Sequence, residues 1–469
     1  MNPKANPTFV ENRLSWDGNR DKEVQQQPKN GKTLSAKRHY AVSYGNTVLL
    51  LGGNLLLLRW ARQGLGEFGF SELVVMRRFL SALTPILSIG LAVTLLKTVS
   101  QLAAAGDRQK SISMVACGYQ VATLSCLSFL AMTLVVPRPL SRLVTGSPEF
   151  GPSLSALAVY ALGLLLSVCN SSYCLAQTRY YSANAIQLVR GAICPLLVLI
   201  LVDSVEMFLL VTGLALIALN LVFYSVTFDS PSRLFTRLDW KGLRGLVAQG
   251  LPRTPGDATY YGLLAMPALV ASSVGGLERG GEIGYALIVL TLLMQIAVPV
   301  NQFLLPETVY LLQVDNHQRL AKRIFVAASF ALITTCTGVL FIEVLAPQLV
   351  HLHLGIENSG RIEAIRWLVP AAIPLNLLQC MRGVVDSASP RAYAPHLCVG
   401  AFFVFLGALV CCHGANDLWS SVIVPFYWAI VFLSLSTCIT AYCLLMSIAR
   451  QSAKRYEDVA VTWDRGRAA

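Results

Sequence analysis

Ser153–Ala176, with the sequence SLSALAVYALGLLLSVCNSSYCLA, runs for 24 residues without an aspartate, glutamate, lysine or arginine. As a helix rising 1.5 Å per residue it reaches about 36 Å, enough to cross a hydrocarbon core of ~30 Å. Such a core holds no water, so each backbone amide must be satisfied within its own segment, which a helix does. Ser111–Val136 and Trp419–Ile448 read the same way. Extending the reading along the chain predicts spans at 41–61, 71–95, 111–136, 153–176, 183–203, 204–227, 251–274, 283–306, 323–346, 363–385, 393–413 and 419–448. The predicted fold class is therefore an all-α integral membrane protein of about 12 transmembrane helices.

Composition agrees. Of 469 residues, 55% are hydrophobic and 13% charged, where a soluble domain carries about 25% charged residues. The deficit is concentrated in long blocks and leaves no room for a sizeable soluble domain. Residues 1–40 are polar, with no apolar run before Tyr40, and are predicted to be a disordered cytoplasmic tail without a signal peptide. The net charge of +12 sits in short connectors and the tails, with no basic stripe interleaved with aromatics, so no nucleic acid is expected as a partner. Ten of the twelve cysteines fall inside apolar spans, where cysteine acts as a small hydrophobe. Cys411-Cys412-His413 is the nearest thing to a ligand cluster, but adjacent residues on a helix diverge, so no metal is expected.

Connector charges set the expected topology. Lys97, Arg108, Lys110, Arg179, Arg233, Arg237, Lys241, Arg244, Arg319, Lys322, Arg323 and Arg391 occupy the even connectors. The odd connectors are poorer in cations and hold Glu67, Glu149, Asp203, Glu206, Glu278, Glu282 and Asp417. By the positive-inside rule both termini face the cytoplasm. The most basic connector, 228–250, separates two six-helix bundles at 41–227 and 251–448, followed by a cytoplasmic tail at 449–469. The halves echo each other: Glu67-Phe68-Gly69-Phe70 precedes the second span and Glu282-Ile283-Gly284-Tyr285 the eighth, with Pro85 and Pro299 further on.

Ionisable side chains inside spans are costly and usually face a cavity or a partner. Arg77 and Arg78 share a broad helix face with Ser81, Thr84, Pro85 and Ser88. They read either as the cationic lining of a lumen suited to a phosphate-bearing ligand, or as side chains snorkelling to the nearby interface. Arg190, beside Gln187, could extend that lining. Arg253 and Asp257 stand four apart and form either an ion pair or, where Pro252, Pro255 and Gly256 loosen the turn, a breakable pair that senses ligand or a coupling proton. Glu307, on the polar side of the eighth span, is a second candidate for ion coupling. Arg382 and Asp386 read as a structural pair, Glu343 as a snorkelling group, and His351 and His353 as exposed in an outer connector. Phosphate-cradling and hydrolase motifs are missing, so no catalytic residue, nucleotide or other cofactor is expected.

Taken together, twelve spans, cytoplasmic termini, a basic mid-chain connector and two six-span halves resemble the polysaccharide-transporter branch of the MOP exporter superfamily. The resemblance is carried by Gly64-Leu65-Gly66-Glu67-Phe68-Gly69-Phe70 running into Leu83–Gly90, and by Gly250-Leu251-Pro252 through Gly284-Tyr285. It implies a flippase moving a polyprenyl-pyrophosphate-linked oligosaccharide, an O-antigen or polysaccharide precursor, across the bacterial cytoplasmic membrane by alternating access. Arg77, Arg78, Arg190 and Arg253 would hold the pyrophosphate, and the implied partners are the lipid-linked glycan, membrane lipids and glycan polymerase or assembly proteins. Two other readings stay open: an ion-coupled multidrug or small-molecule exporter of the same superfamily, and a membrane-embedded polysaccharide polymerase or ligase. The arginine-rich spans argue for an anionic substrate, and the short outer connectors argue against the polymerase.

Overall fold

The computed structural model describes residues 29–228, 240–295, 297, 304, 308, 317–355, 358–388, 393–412 and 417–468. Contacts divide the chain into two units, Met1–Gly45 and Asn46–Ala469, the second containing most of the described helices. The chain is all-α among the described residues. In order it forms α1 (Lys29–Ser88), α2 (Leu91–Ala104), α3 (Arg108–Val135), α4 (Pro137–Thr145), α5 (Gly151–Ala176), α6 (Tyr180–Leu199) and α7 (Val205–Thr227). There follow α8 (Trp240–Gly250), α9 (Thr254–Met294), α10 (His317–Leu354), α11 (Ser359–Leu368), α12 (Ala372–Ala388), α13 (Tyr393–Cys412) and α14 (Leu418–Ala468).

Among the described residues nine helices are long and apolar enough to cross a membrane, or ten with the bent pair Gly45–Ser88 and Leu91–Ala103, which turns by 43°. This is a multi-pass membrane protein. α8 occupies part of the connector read as a linker, and α14 runs on through the residues read as a C-terminal tail.

Two of the longest helices are hairpins. In a straight helix residues 54 and 77 would lie about 34 Å apart, yet Arg77 Nη2 donates to Asn54 Oδ1 at 2.6 Å. The chain doubles back at Gly66, whose φ of 72° and ψ of −174° suit glycine and almost nothing else. α9 repeats the device at Gly276 (φ 82°, ψ 169°), bringing the backs of Ala268 and Gly284 together. Each hairpin joins two of the spans expected from sequence, and the reversal comes where the sequence echo was noticed.

The inner limbs of the hairpins cross each other. Gly281 lies against Ser71 and Gly284 against Val74, where any larger side chain would clash, and the Phe70 and Tyr285 rings meet at 6.2 Å. Around this crossing two buried polar knots hold their neighbours. Tyr119 donates to Asn170 at 2.9 Å, Asn170 to Asn220 at 2.8 Å and Asn220 to Ser167 at 2.8 Å, tying α3, α5 and α7. Asn376 of α12 donates to Thr335 of α10 at 2.7 Å and to the Leu293 carbonyl of α9 at 3.1 Å. In hydrocarbon such bonds fix which helix faces meet, because lipid tails offer no preference among apolar faces.

Candidate functional site

A cavity of about 610 Å³ opens between the inner limb of α1, α2, α5, α6, the first turns of α9 and α12. That volume suits a small organic ligand. Arg77, Arg190, Arg382 and Asp257 supply its charges, and Tyr160 and Tyr261 its aromatic walls. Ser81, Thr84 and Ser88 line one side, but their hydroxyls are spent on carbonyls of their own helix, at 2.8, 2.7 and 3.1 Å.

Arg77 is positioned by Asn54 across the hairpin, and its Nη1 has no hydrogen-bond partner among the described residues, leaving a donor for a ligand. Tyr160 lies within electrostatic reach of both Arg77 and Arg190. Arg190 sits in a π-helical turn, Val189–Ile193. The extra residue in that turn interrupts the regular ladder, as such turns do at functional sites. At the far end Arg382 Nη2 donates to Asp257 Oδ1 at 3.2 Å, and its guanidinium lies 5.8 Å from the Tyr260 ring centroid. Tyr260 in turn accepts from Gln379 at 2.6 Å. From Arg77 to Ser88 the cavity follows eleven residues of helix, about 16 Å.

Of the residues predicted from sequence, the structure brings together Arg77, Arg190 and Asp257. Arg78 turns away. It is buried, with its guanidinium toward Thr291 Oγ1 at 3.4 Å and the Gly284 carbonyl at 3.5 Å, and so fastens the hairpin crossing. Neighbours on a helix are 100° apart, and a broad polar face cannot hold both at one focus. Arg253 is exposed at the start of α9 and does not line the cavity. Asp257 reaches the Arg382 of α12 instead, so the expected pair Arg253–Asp257 gives way to an inter-helix one; the expected pair Arg382–Asp386 falls on a side chain, that of Asp386, outside the described residues. Glu307 also lies outside them. Arg382, Tyr160 and Tyr261 were missed as lining groups, and for Arg382 the signal available was its charge inside a predicted span.

At the hairpin-tip end the bundle is sealed. Arg361, wholly buried, donates to Glu67, which also pairs with Arg62 at 2.5 Å, and the Arg361 guanidinium lies 4.9 Å from the Phe70 ring centroid. Arg279 holds Glu282 at 2.9 Å. His353, expected to be exposed, is half-buried at the end of α10 and bonds the Tyr285 hydroxyl at 2.8 Å and the Leu55 carbonyl. Ser272 of α9 donates to the Val144 carbonyl of α4 at 2.7 Å.

No family model and no curated protein matches the chain. Its fold, however, is shared with solved transporters. An inward-facing multidrug resistance transporter of the MATE family, in the MOP superfamily, superposes with a TM-score of 0.74 at 14% identity, covering 87% of this chain and 96% of that one. An outward-facing multidrug resistance MATE transporter gives 0.62 at 14% identity, covering 86% and 95%. A eukaryotic MATE transporter gives 0.61 at 14% identity, covering 90% and 99%. The chain thus shares the all-α, multi-pass fold of these solved proteins, all of them transporters.

These likenesses correct the branch expected from sequence. They fall on MATE transporters, two of them described as multidrug resistance proteins, not on polysaccharide flippases, and the lipid-linked oligosaccharide, the O-antigen vocabulary and the glycan polymerase partner fall with that reading. The reason is physical. Gly66 reverses a hairpin, Gly281 and Gly284 admit a helix crossing, and Gly250 lies against the Ile89 carbonyl. The motifs that carried the resemblance serve this fold and say nothing about what the cavity holds.

Proposed function

We propose that this chain is an ion-coupled exporter of small organic molecules that works by alternating access, with the present structure its cytoplasm-facing state. The observation that carries the proposal is the cavity between the two hairpin systems, charged along its length and shut off at the hairpin tips. The higher similarity to the inward-facing MATE transporter than to the outward-facing one supports the assignment of state. Counting α1 and α9 as two crossings each gives twelve spans, in two six-helix bundles at 41–227 and 251–448. The positive-inside pattern supports cytoplasmic termini and suits a bacterial cytoplasmic membrane.

Among the described lining residues three guanidiniums stand against one carboxylate, which favours an anionic substrate, since a guanidinium fork matches carboxylate, sulfonate or phosphate oxygens. Asp257 is the proposed coupling group. A coupling cation bound by Asp257 would compete with Arg382 for the carboxylate of the 3.2 Å pair.

The test is transport in proteoliposomes under an imposed proton or sodium gradient, with carboxyfluorescein as an anionic probe and ethidium as a cationic one. Gradient-driven movement of a probe, lost in Asp257→Asn, is the expected result. Movement indifferent to both gradients would sink the coupling proposal, and movement of neither probe would sink the exporter.

A further inference from the structure

A second concavity lies on the outside of the bundle, remote from the charged cavity. α11 and the first turns of α14 form its walls, enclosing about 720 Å³. Tyr427 of α14 donates to the Trp367 carbonyl of α11 at 2.7 Å and fixes the distance between the walls. At the rim stand Glu363 and Arg366, one turn apart on α11, and Asp417, which accepts from Ser420 at 3.2 Å. Below them the surface is apolar: Val424, Trp428 and Val431, with Trp367 and Trp428 55% and 65% exposed. Side chains of this kind so far exposed face lipid in a membrane protein. From Asp417 to Val431 is fourteen residues, about 21 Å of helix, which covers the ~15 Å of hydrocarbon in one leaflet together with part of its headgroup zone. On the other flank of α11 a second hollow shares Glu363, Arg366 and Trp367 and continues along Pro347 and Ile362.

We infer that this groove binds a phospholipid with a primary amine in its headgroup, of the phosphatidylethanolamine type. Its phosphate takes hydrogen bonds from Arg366, its ammonium donates to Glu363 and Asp417, and its acyl chains lie in the hollows on either side of α11. The two signs of charge at the rim select the headgroup. An anionic lipid such as phosphatidylglycerol brings no cation to the two carboxylates. Phosphatidylcholine brings a cation without an N–H, and so cannot donate to them.

The test uses the purified full-length protein in vesicles containing phosphatidylethanolamine, phosphatidylglycerol or phosphatidylcholine with brominated acyl chains, which quench nearby tryptophans. The groove signal is the part of the quenching that disappears in W367F/W428F. Brominated phosphatidylethanolamine is expected to occupy the groove with about fivefold preference over the other two. That preference should vanish in E363Q/D417N, while R366Q should weaken all three lipids. Native mass spectrometry of wild type and E363Q/D417N, counting retained lipid, gives the same comparison without touching a tryptophan. Equal quenching by the three lipids in wild type, or a preference that survives E363Q/D417N, would overturn the assignment.

Discussion

The two ends of the hairpin pair use the same residue type in opposite ways. At the tips, Arg361 and Arg279 are matched by Glu67 and Glu282, one pair between elements distant in sequence and one within α9. About three turns deeper, Arg77 and Arg190 line open space within electrostatic reach of the Tyr160 hydroxyl, and the lining carboxylate of Asp257 pairs with the distant Arg382. A matched arginine closes the bundle, whereas an unmatched one leaves charge to be answered by whatever enters. What separates latch from lining is whether a carboxylate from another element reaches the same spot.

The largest expected effect comes from breaking the latch. Arg361→Ala leaves Glu67 with only the partly exposed Arg62 and empties a buried site. It should cost about 3–5 kcal/mol, read as a lower thermal unfolding midpoint in detergent. Arg361→Lys should recover little of this, because an ammonium cannot both pair with Glu67 and cover the Phe70 ring as a guanidinium does.

Arg78→Ala should come next, destabilising by about 1–3 kcal/mol through the lost crossing bonds, with binding of an anionic probe unchanged. Arg77→Ala should behave in the opposite way. Probe affinity, measured by titration calorimetry, should weaken about tenfold, or ~1.4 kcal/mol, while the unfolding midpoint stays put. If the two neighbours gave the same phenotype, the division between fastening and lining would be wrong. Smallest of all, Arg253→Ala at an exposed position should change either measurement by less than about 0.5 kcal/mol.

The same comparison shows what could be read from sequence. Charge-free runs announce helices that need no tertiary partner to be recognised, so the nine or ten apolar helices among the described residues were legible. Arg77, Arg190 and Asp257 stood out because charge inside a span demands an explanation. The partners did not stand out. Glu67 and Arg361 are 294 residues apart, and Asp257 and Arg382 are 125 apart. Helical spacing offered Arg253 as the nearer mate for Asp257, and nothing local could reveal that α12 supplies a better-placed one. His353 was misread for the same reason, its contacts with Tyr285 and Leu55 being made across the fold.

The π turn at Arg190 has a consequence for register. One residue more than an α-helix needs has been absorbed between Val189 and Ile193, and each residue turns a helix by about 100°. Because the widened turn absorbs that residue, removing it would let the helix close into regular form with Tyr180–Leu188 and Cys194–Leu199 in nearly their present relation, and would re-aim only the residues within the turn. Arg190 is one of these, and it would come round to a different side of α6, away from Tyr160. The cationic lining on this wall is thus set by a change of phase confined to one turn.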